Sequence, residues 1–253
     1  MNKEPLSAVI ITLNEASNIA DCIASLSFCD EVVVVDSGST DDTVAISESL
    51  GCRVVVQQWL GFGKQKQFAV EQARHHWVLC LDADERISPE LQQSIEHFMR
   101  NPASHACQMP RRNRFMGRWL YHGEGYPDIS LRLFHRAHAA WSDDPVHEKV
   151  VSQAEPATLS GDILHFSQET LEQYLNKQNR YTSLQAEQLF QKGKKIGVAK
   201  LLLSPLLRFI KFYLIRQGFR DGLPGLVHIL IGCLNSFSKY AKTIEKIKVN
   251  ENK

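Results

Sequence analysis

The chain has 253 residues, of which 43% are hydrophobic and 23% charged, and its formal net charge is +1. Those values exclude a disordered chain, and the length admits one large α/β domain with an appendage. The near-neutral total hides an asymmetry, because from Lys192 onward thirteen Lys and Arg stand against only Asp221, Glu245 and Glu251.

Leu6 to Thr12 is an apolar run rich in β-branched residues and predicts a strand, followed by a helix from Ala16 to Leu26. Glu31 to Val35 predicts a second strand, and its unbroken valines imply burial on both faces. A helix over Thr43 to Leu50 stops at Gly51, a residue suited to the left-handed position after a helix. Arg53 to Gln57 predicts a third strand, Lys64 to Ala73 a third helix and Val78 to Leu81 a fourth strand. This alternation predicts a parallel sheet with helices on both faces.

The alternation then breaks. Arg111 to Gly125, rich in Arg, aromatic residues and Gly, reads as an ordered surface loop. Ser130 to Phe134 alternates as a strand, with Arg132 facing away from Leu131 and Leu133. Trp141 to Val151 and Thr158 to Phe166 predict short strands or turns, and from Gln168 the pattern is helical. Two apolar, basic segments follow, Ile196 to Phe219 and Leu223 to Ile247. Pro205, Arg208, Pro224 and His228 are among the residues that interrupt them before the roughly eighteen apolar residues a membrane span needs. They predict interfacial helices on an anionic membrane surface, or else helices packed on the rest of the protein. The expected division is a domain of residues 1–166 and a basic helical region of residues 167–253. Six scattered cysteines without a C-x-x-C pair imply a reduced, cytoplasmic chain. The N-terminus runs straight into a strand, so no signal peptide is expected.

Three strand ends carry the chemistry. Asn14 and Glu15 follow the first strand, and Asp36-Ser-Gly-Ser-Thr-Asp-Asp42 follows the second. Asp82-Ala-Asp-Glu85 follows the fourth. Each alone also reads as a helix-capping turn. Together they line the carboxyl edge of one sheet, where α/β folds bind ligands. Asp36, before a Gly-containing turn, is placed to accept hydrogen bonds from a ribose or a base edge. Side chains two apart share a face of a strand, so Asp82 and Asp84 are expected side by side, with a hard cation relieving their repulsion.

Val9-Ile-Ile-Thr-Leu-Asn-Glu15, Val33-Val-Val-Asp-Ser-Gly-Ser-Thr-Asp-Asp42 and Leu81-Asp-Ala-Asp-Glu85 resemble the nucleotide-sugar half of the family 2 glycosyltransferases. The resemblance implies an α/β fold of the GT-A type, followed here by C-terminal amphipathic helices. It also implies inversion, a UDP-sugar donor and Mg²⁺ or Mn²⁺ as cofactor. It assigns Thr12, Asn14, Glu15 and Asp36 to the uridine, and Asp82 and Asp84 to the metal and the donor's ribose or diphosphate. Ser39 and Ala83, beside them in the same loops, are expected at the donor too. Gly61 to Gln67, Tyr126 to Phe134 and Val146-His-Glu148 are similar to the lipopolysaccharide inner-core β-1,4-glucosyltransferases, which implies glucose as the sugar and a lipid-linked heptose as acceptor. Action on the cytoplasmic face of the inner membrane follows, with no nucleic-acid polymer as partner. The Gln-x-x-Arg-Trp run of many family members is missing.

Inversion needs one base for the acceptor hydroxyl and charge neutralisation of the departing diphosphate. Glu148 is the first candidate base, with Asp144 and Asp143 behind it. His165 is a candidate metal ligand, or else a core histidine. Lys64 and Lys66, after a Gly-Phe-Gly turn, are candidates to reach a phosphate. Arg132 and the run Arg111, Arg112 and Arg114 are candidates to clamp anionic groups of the acceptor. Two rival readings share these residues: transfer to a polyprenyl phosphate, and a non-catalytic nucleotide-sugar-binding scaffold.

Overall fold

The computed structural model describes residues 3–144, 148–166 and 170–251; Val146, His147 and the expected helix start at Gln168 lie outside them. The chain divides into two compact units. The first comprises Met1–Arg111 with Ile129–Phe166, and the second Arg112–Asp128 with Ser167–Lys253, so residues 112–128 join the C-terminal region.

In the first unit β1 (Leu6–Thr12), β2 (Glu31–Asp36), β3 (Arg53–Val56) and β4 (Trp77–Asp82) are parallel, in the order β3-β2-β1-β4. The helices α1 (Ile19–Ala24), α2 (Thr43–Ser49) and α3 (Phe62–Gln72) supply the crossovers that parallel strands require. Because side chains alternate along a strand, the apolar β1 feeds two cores at once. Leu6, Ala8 and Ile10 pack with Ile19, Leu79 and Leu91, while Val9 and Ile11 pack with Val33, Val78 and Phe134. α1 starts later than expected, since the Asn18 N–H closes a turn on the Glu15 carbonyl at 2.9 Å.

Beyond β4 come β5 (Glu85–Ile87), α4 (Pro89–Phe98) and β6 (Ala106–Phe115). They are followed by β7 (Arg118–Trp119), β8 (Asp128–His135), β9 (Ala139–Trp141), β10 (Val150–Ser152), β11 (Ala157–Thr158) and β12 (Ile163–His165). β8 lies antiparallel on β4, and β6, β12 and β5 continue the sheet, β12 antiparallel to β5. β9 and β10 form a separate antiparallel pair. The expected surface loop from Arg111 is therefore a strand as far as Phe115, turning back into β7 with Phe115 opposite Arg118. Met116 (φ 48°) and Gly117 (φ 78°) both take the left-handed conformation that a two-residue hairpin turn demands.

The second unit is built on α5 (Leu171–Gln191), α6 (Val198–Phe209) and α7 (Gly222–Glu251), with a π turn over Ile210–Ile215 and a 3₁₀ turn over Gly218–Asp221. Thr170 opens α5 with a capping box that Gln173 completes. α5 and α6 both pack on α7. Buried Asp221 accepts the N–H groups of Tyr121 and His122 at 2.9 and 2.8 Å, which ties residues 112–128 to the helices. Among the described residues no helix is long and apolar enough to cross a membrane. The outer side of α6 and its continuation is apolar all the same, with Leu202, Leu203, Leu206, Leu207 and Leu214 more than half exposed.

Candidate active site

Parallel pairing brings the ends of β1, β2 and β4 together, with Thr12 opposite Asp36 and Ile11 opposite Asp82. The first two loops are stitched to each other. Asn14 adopts φ 55°, its N–H donates to Ser39 Oγ at 2.8 Å, and its Oδ1 accepts the Thr40 N–H at 2.8 Å. The Glu15 N–H donates to Thr43 Oγ1 at 2.8 Å. Asp36, 1% exposed, accepts the N–H groups of Gly38 and Ser39, both at 2.9 Å, and the Ser39 hydroxyl. It thus shapes its own loop while keeping room for one further donor. Burial raises the Glu15 pKa; the nearby Asp84 and Asp41 add to this against the Asn18 hydrogen bond and His165.

The carboxylates at the end of β4 part company. The strand stops at Asp82 and turns through Ala83 and Asp84 before β5 begins at Glu85, so Asp82 and Asp84 do not share the face of one strand. Asp82 lies between two cations: Lys66 Nζ at 3.2 Å and Arg132 Nη2 at 3.4 Å. Burial would raise its pKa, but Lys66, Arg132 and Arg111 outweigh that and hold it well below the usual carboxylate range. Asp84 meets His165 instead, Oδ2 to Nε2 at 3.0 Å. His165 stands opposite Glu85 on β12, which explains how a residue so distant in sequence arrives there.

Three participants carried weaker signals. Glu85, fully buried, accepts Arg132 Nη2 at 3.0 Å, Arg111 Nη1 at 3.2 Å and the Asp82 N–H at 3.0 Å. Trp141, with no motif around it, has Lys66 Nζ 4.9 Å and Arg132 Cζ 5.7 Å from its ring centre. Arg111 was legible only as part of an arginine run. Glu148 Oε1 lies 3.3 Å from Lys66 Nζ, whereas Asp143 and Asp144 are exposed. Lys66, Arg132 and Arg111 thus face Asp82, Glu85 and Glu148, three charges of each sign. Lys64 is exposed. In the second unit Arg112 stacks over Tyr121 and Tyr126, with Cζ 4.4 and 5.4 Å from the ring centres.

Thr12 Oγ1 and Arg132 Nη1 are buried and make no hydrogen bond among the described residues, while Asp82 Oδ1 is held by its ion pair with Lys66. Buried polar atoms are normally satisfied, so Thr12 Oγ1, at the end of β1, leaves a polar group unused at the edge where the three strand ends meet. Among the described residues no three His, Cys, Asp or Glu groups converge to hold an ion by themselves. Asp84 and His165 do fit a divalent ion of the Mg²⁺ or Mn²⁺ type whose other ligands are phosphate oxygens and water.

Comparison with known proteins agrees with this chemistry. The model of the family described as "Glycosyl transferase family 2" matches residues 7–154. The lipopolysaccharide core biosynthesis glycosyltransferase LpsC of Rhizobium meliloti is 32% identical, over 96% of this chain and 93% of that protein. An uncharacterized glycosyltransferase of Rickettsia felis is 35% identical, over 98% and 93% respectively. Among solved structures, TarS of S. aureus is 18% identical with a TM-score of 0.45, over 92% of this chain and 49% of that one. Glucosyl-3-phosphoglycerate synthase of Mycobacterium tuberculosis, solved with Mn²⁺ and UDP, is 25% identical with a TM-score of 0.38, over 44% of each chain.

Proposed function

The chain belongs to glycosyl transferase family 2, and from that premise we propose that it is an inverting, metal-dependent transferase that moves glucose from UDP-glucose to a heptose of the lipopolysaccharide inner core. The observation that carries the donor half is the meeting of three strand ends that bring Thr12, Asp36 and Asp82 to one edge of the sheet. The relative active in lipopolysaccharide core biosynthesis supports the acceptor half. Thr12, Asn14, Glu15, Asp36 and Ser39 hold the uridine, and Asp82 with Ala83 the ribose and diphosphate. Asp84 and His165 hold the divalent ion, which when bound supplies Lewis-acid neutralisation of the leaving diphosphate.

Glu148 takes the acceptor hydroxyl's proton as that oxygen attacks the anomeric carbon from the face opposite the nucleotide. The bond to the diphosphate breaks with its electron pair going to the nucleotide, so configuration inverts. A base within reach of a neutral-pH proton is enough, and no second carboxylate nucleophile is required. Arg132, buried against Asp82 and Glu85, is not presented to an anionic group of the acceptor. Within the second unit Arg112, held flat on two tyrosines, is the candidate cation for an anionic group of the acceptor, since guanidinium matches phosphate and carboxylate in a planar fork.

The acceptor is lipid-borne, and the exposed leucines of α6, with Lys200, Lys211 and Arg216 on the same stretch, support peripheral contact with anionic lipid on the cytoplasmic face of the inner membrane. The test of the whole reading is transfer from a panel of UDP-sugars to a heptose-terminated core lipid, beside a polyprenyl phosphate. Asp84→Asn is expected to lower transfer by at least ~100-fold while leaving the fold intact. Full turnover by that variant removes the metal assignment, and transfer only to the polyprenyl phosphate moves the acceptor class. Glu148→Gln is expected to keep UDP binding and lose transfer; unchanged turnover moves the base to Asp144 or Asp143.

A further inference from the structure

We infer that Lys66 is a positioning residue that places the Glu148 carboxylate, and that Trp141 is the surface on which Lys66 is held. Lys66 is 6% exposed, and lysines are almost never buried unless paired. Its ammonium lies 3.2 Å from Asp82 Oδ1 and 3.3 Å from Glu148 Oε1, with the Trp141 ring centre 4.9 Å away and that of Phe62 5.8 Å away. Among the described residues Lys66 is the group that meets the Glu148 carboxylate.

The sequence offered a phosphate as the partner for Lys66, and the geometry points elsewhere. Its hydrogens are directed at two carboxylates and its remaining surface is covered by aromatic rings, an arrangement that attracts cations and has nothing left for an anion. The cluster of Lys66, Arg132, Arg111, Asp82, Glu85 and Glu148 sums to zero, so it exerts little net pull on a diphosphate.

The backbone around it is arranged to the same end. Gly63 and Lys66 are three apart on α3 and so share one face of the helix. A side chain at Gly63 would collide with the Ser142 carbonyl, so α3 and the β9–β10 pair approach as closely as glycine allows. The Trp141 N–H donates to Gln67 Oε1 at 3.1 Å, and the Ser142 N–H to the Lys149 carbonyl at 2.8 Å, which closes the connection just beyond Glu148. With Oε1 engaged by Lys66, Oε2 is the atom left to receive the acceptor's proton. This rests on Glu148 being the base.

The experiment uses the full chain with UDP, Mn²⁺, UDP-glucose and the heptose-terminated lipid. Lys66→Met is expected to lower kcat about 100-fold, the lower end of what a positioned base contributes, while the Kd for UDP, reached only through the neighbouring Asp82, moves less than about fivefold. Lys66→Arg restores most of the rate, because the guanidinium reaches both carboxylates. Trp141→Leu behaves as Lys66→Met does, and Trp141→Phe recovers because a ring face is back in place. In a Glu148→Gln background Lys66→Met costs less than about twofold more, since its effect passes through Glu148. UDP binding reports folding independently of turnover. A Lys66→Met variant that keeps kcat and binds UDP ten times more weakly would make Lys66 a phosphate ligand. Full additivity with Glu148→Gln overturns the positioning role alone, and full turnover by Glu148→Gln overturns the base assignment beneath it.

Discussion

Replacing Arg132 by Met tests the electrostatic core of the site. The guanidinium is 4% exposed and bonds Ser130 Oγ at 2.9 Å, Glu85 Oε1 at 3.0 Å and Asp82 Oδ2 at 3.4 Å. At an effective dielectric of about 20, a pair of charges 3 Å apart attract by roughly 5–6 kcal/mol, a gross figure that the cost of desolvating both ions largely offsets. Methionine fills much of the volume, so the cavity contribution is small and the charge contribution decides. Glu85 is left fully buried with Arg111 as its remaining cation. Breaking one partner out of a buried pair typically costs about 3–5 kcal/mol. For a protein of this size that corresponds to a fall in Tm of roughly 6–20 °C. The assay is denaturant unfolding followed by circular dichroism with linear extrapolation, beside calorimetry. Glu85→Gln combined with Arg132→Met should recover at least half of the loss, because no uncompensated charge stays inside. A single variant within about 1 kcal/mol of the native protein would refute the reasoning and mean that Arg111 alone compensates Glu85.

Three further outcomes follow from other parts of the molecule. Gly63→Ala should lower Tm and cut transfer together, since the added methyl meets backbone at Ser142 and forces α3 away from the β9–β10 pair; normal activity in a stable variant would mean that the approach is slack. Burial, then His138, His76 and His105, lower the His135 pKa against Glu4, so the unfolded chain takes up that proton first. Stability should therefore rise with pH through the window just below about 6.5 and fall on acidification, and His135→Phe should flatten that slope in a Tm-against-pH series. Replacing Leu206 and Leu207, 53% and 61% exposed, by Glu should abolish sedimentation with phosphatidylglycerol vesicles at constant Tm; unchanged sedimentation removes the lipid contact.

The parts of the fold legible in the sequence are those in which one strand or helix states its own surroundings. β1, β2 and β4 are buried on both faces, so their apolar runs are unbroken, and the order strand, helix, strand forces them parallel. The strand from Ala106 to Phe115 hid because it alternates nothing. Arg111, Arg112 and Arg114 break the apolar pattern, and the turn at its end uses Met116 where an asparagine would have announced a hairpin. The insertion of β8 antiparallel beside β4 has no local signature either, since strand order in a sheet is a property of the whole chain.

The same distinction divides the site. Thr12, Asn14, Glu15, Asp36 and Asp82 stand at strand ends, where position alone predicts proximity, and parallel pairing of β1 with β2 and β4 sets them at a common edge. Period-two alternation failed at Asp84 because the backbone turns after Asp82, and that turn gives the two carboxylates different surroundings. Both are about a quarter exposed, but one is neutralised by cations belonging to the protein and the other stands beside a histidine. A carboxylate that already has Lys66 and Arg132 has little charge to offer an added ion, whereas Asp84 meets the His165 imidazole. The unlike surroundings of the two carboxylates in the Asp-Ala-Asp motif thus arise from residues 16, 50 and 81 positions away in the chain, contacts that only the folded sheet creates.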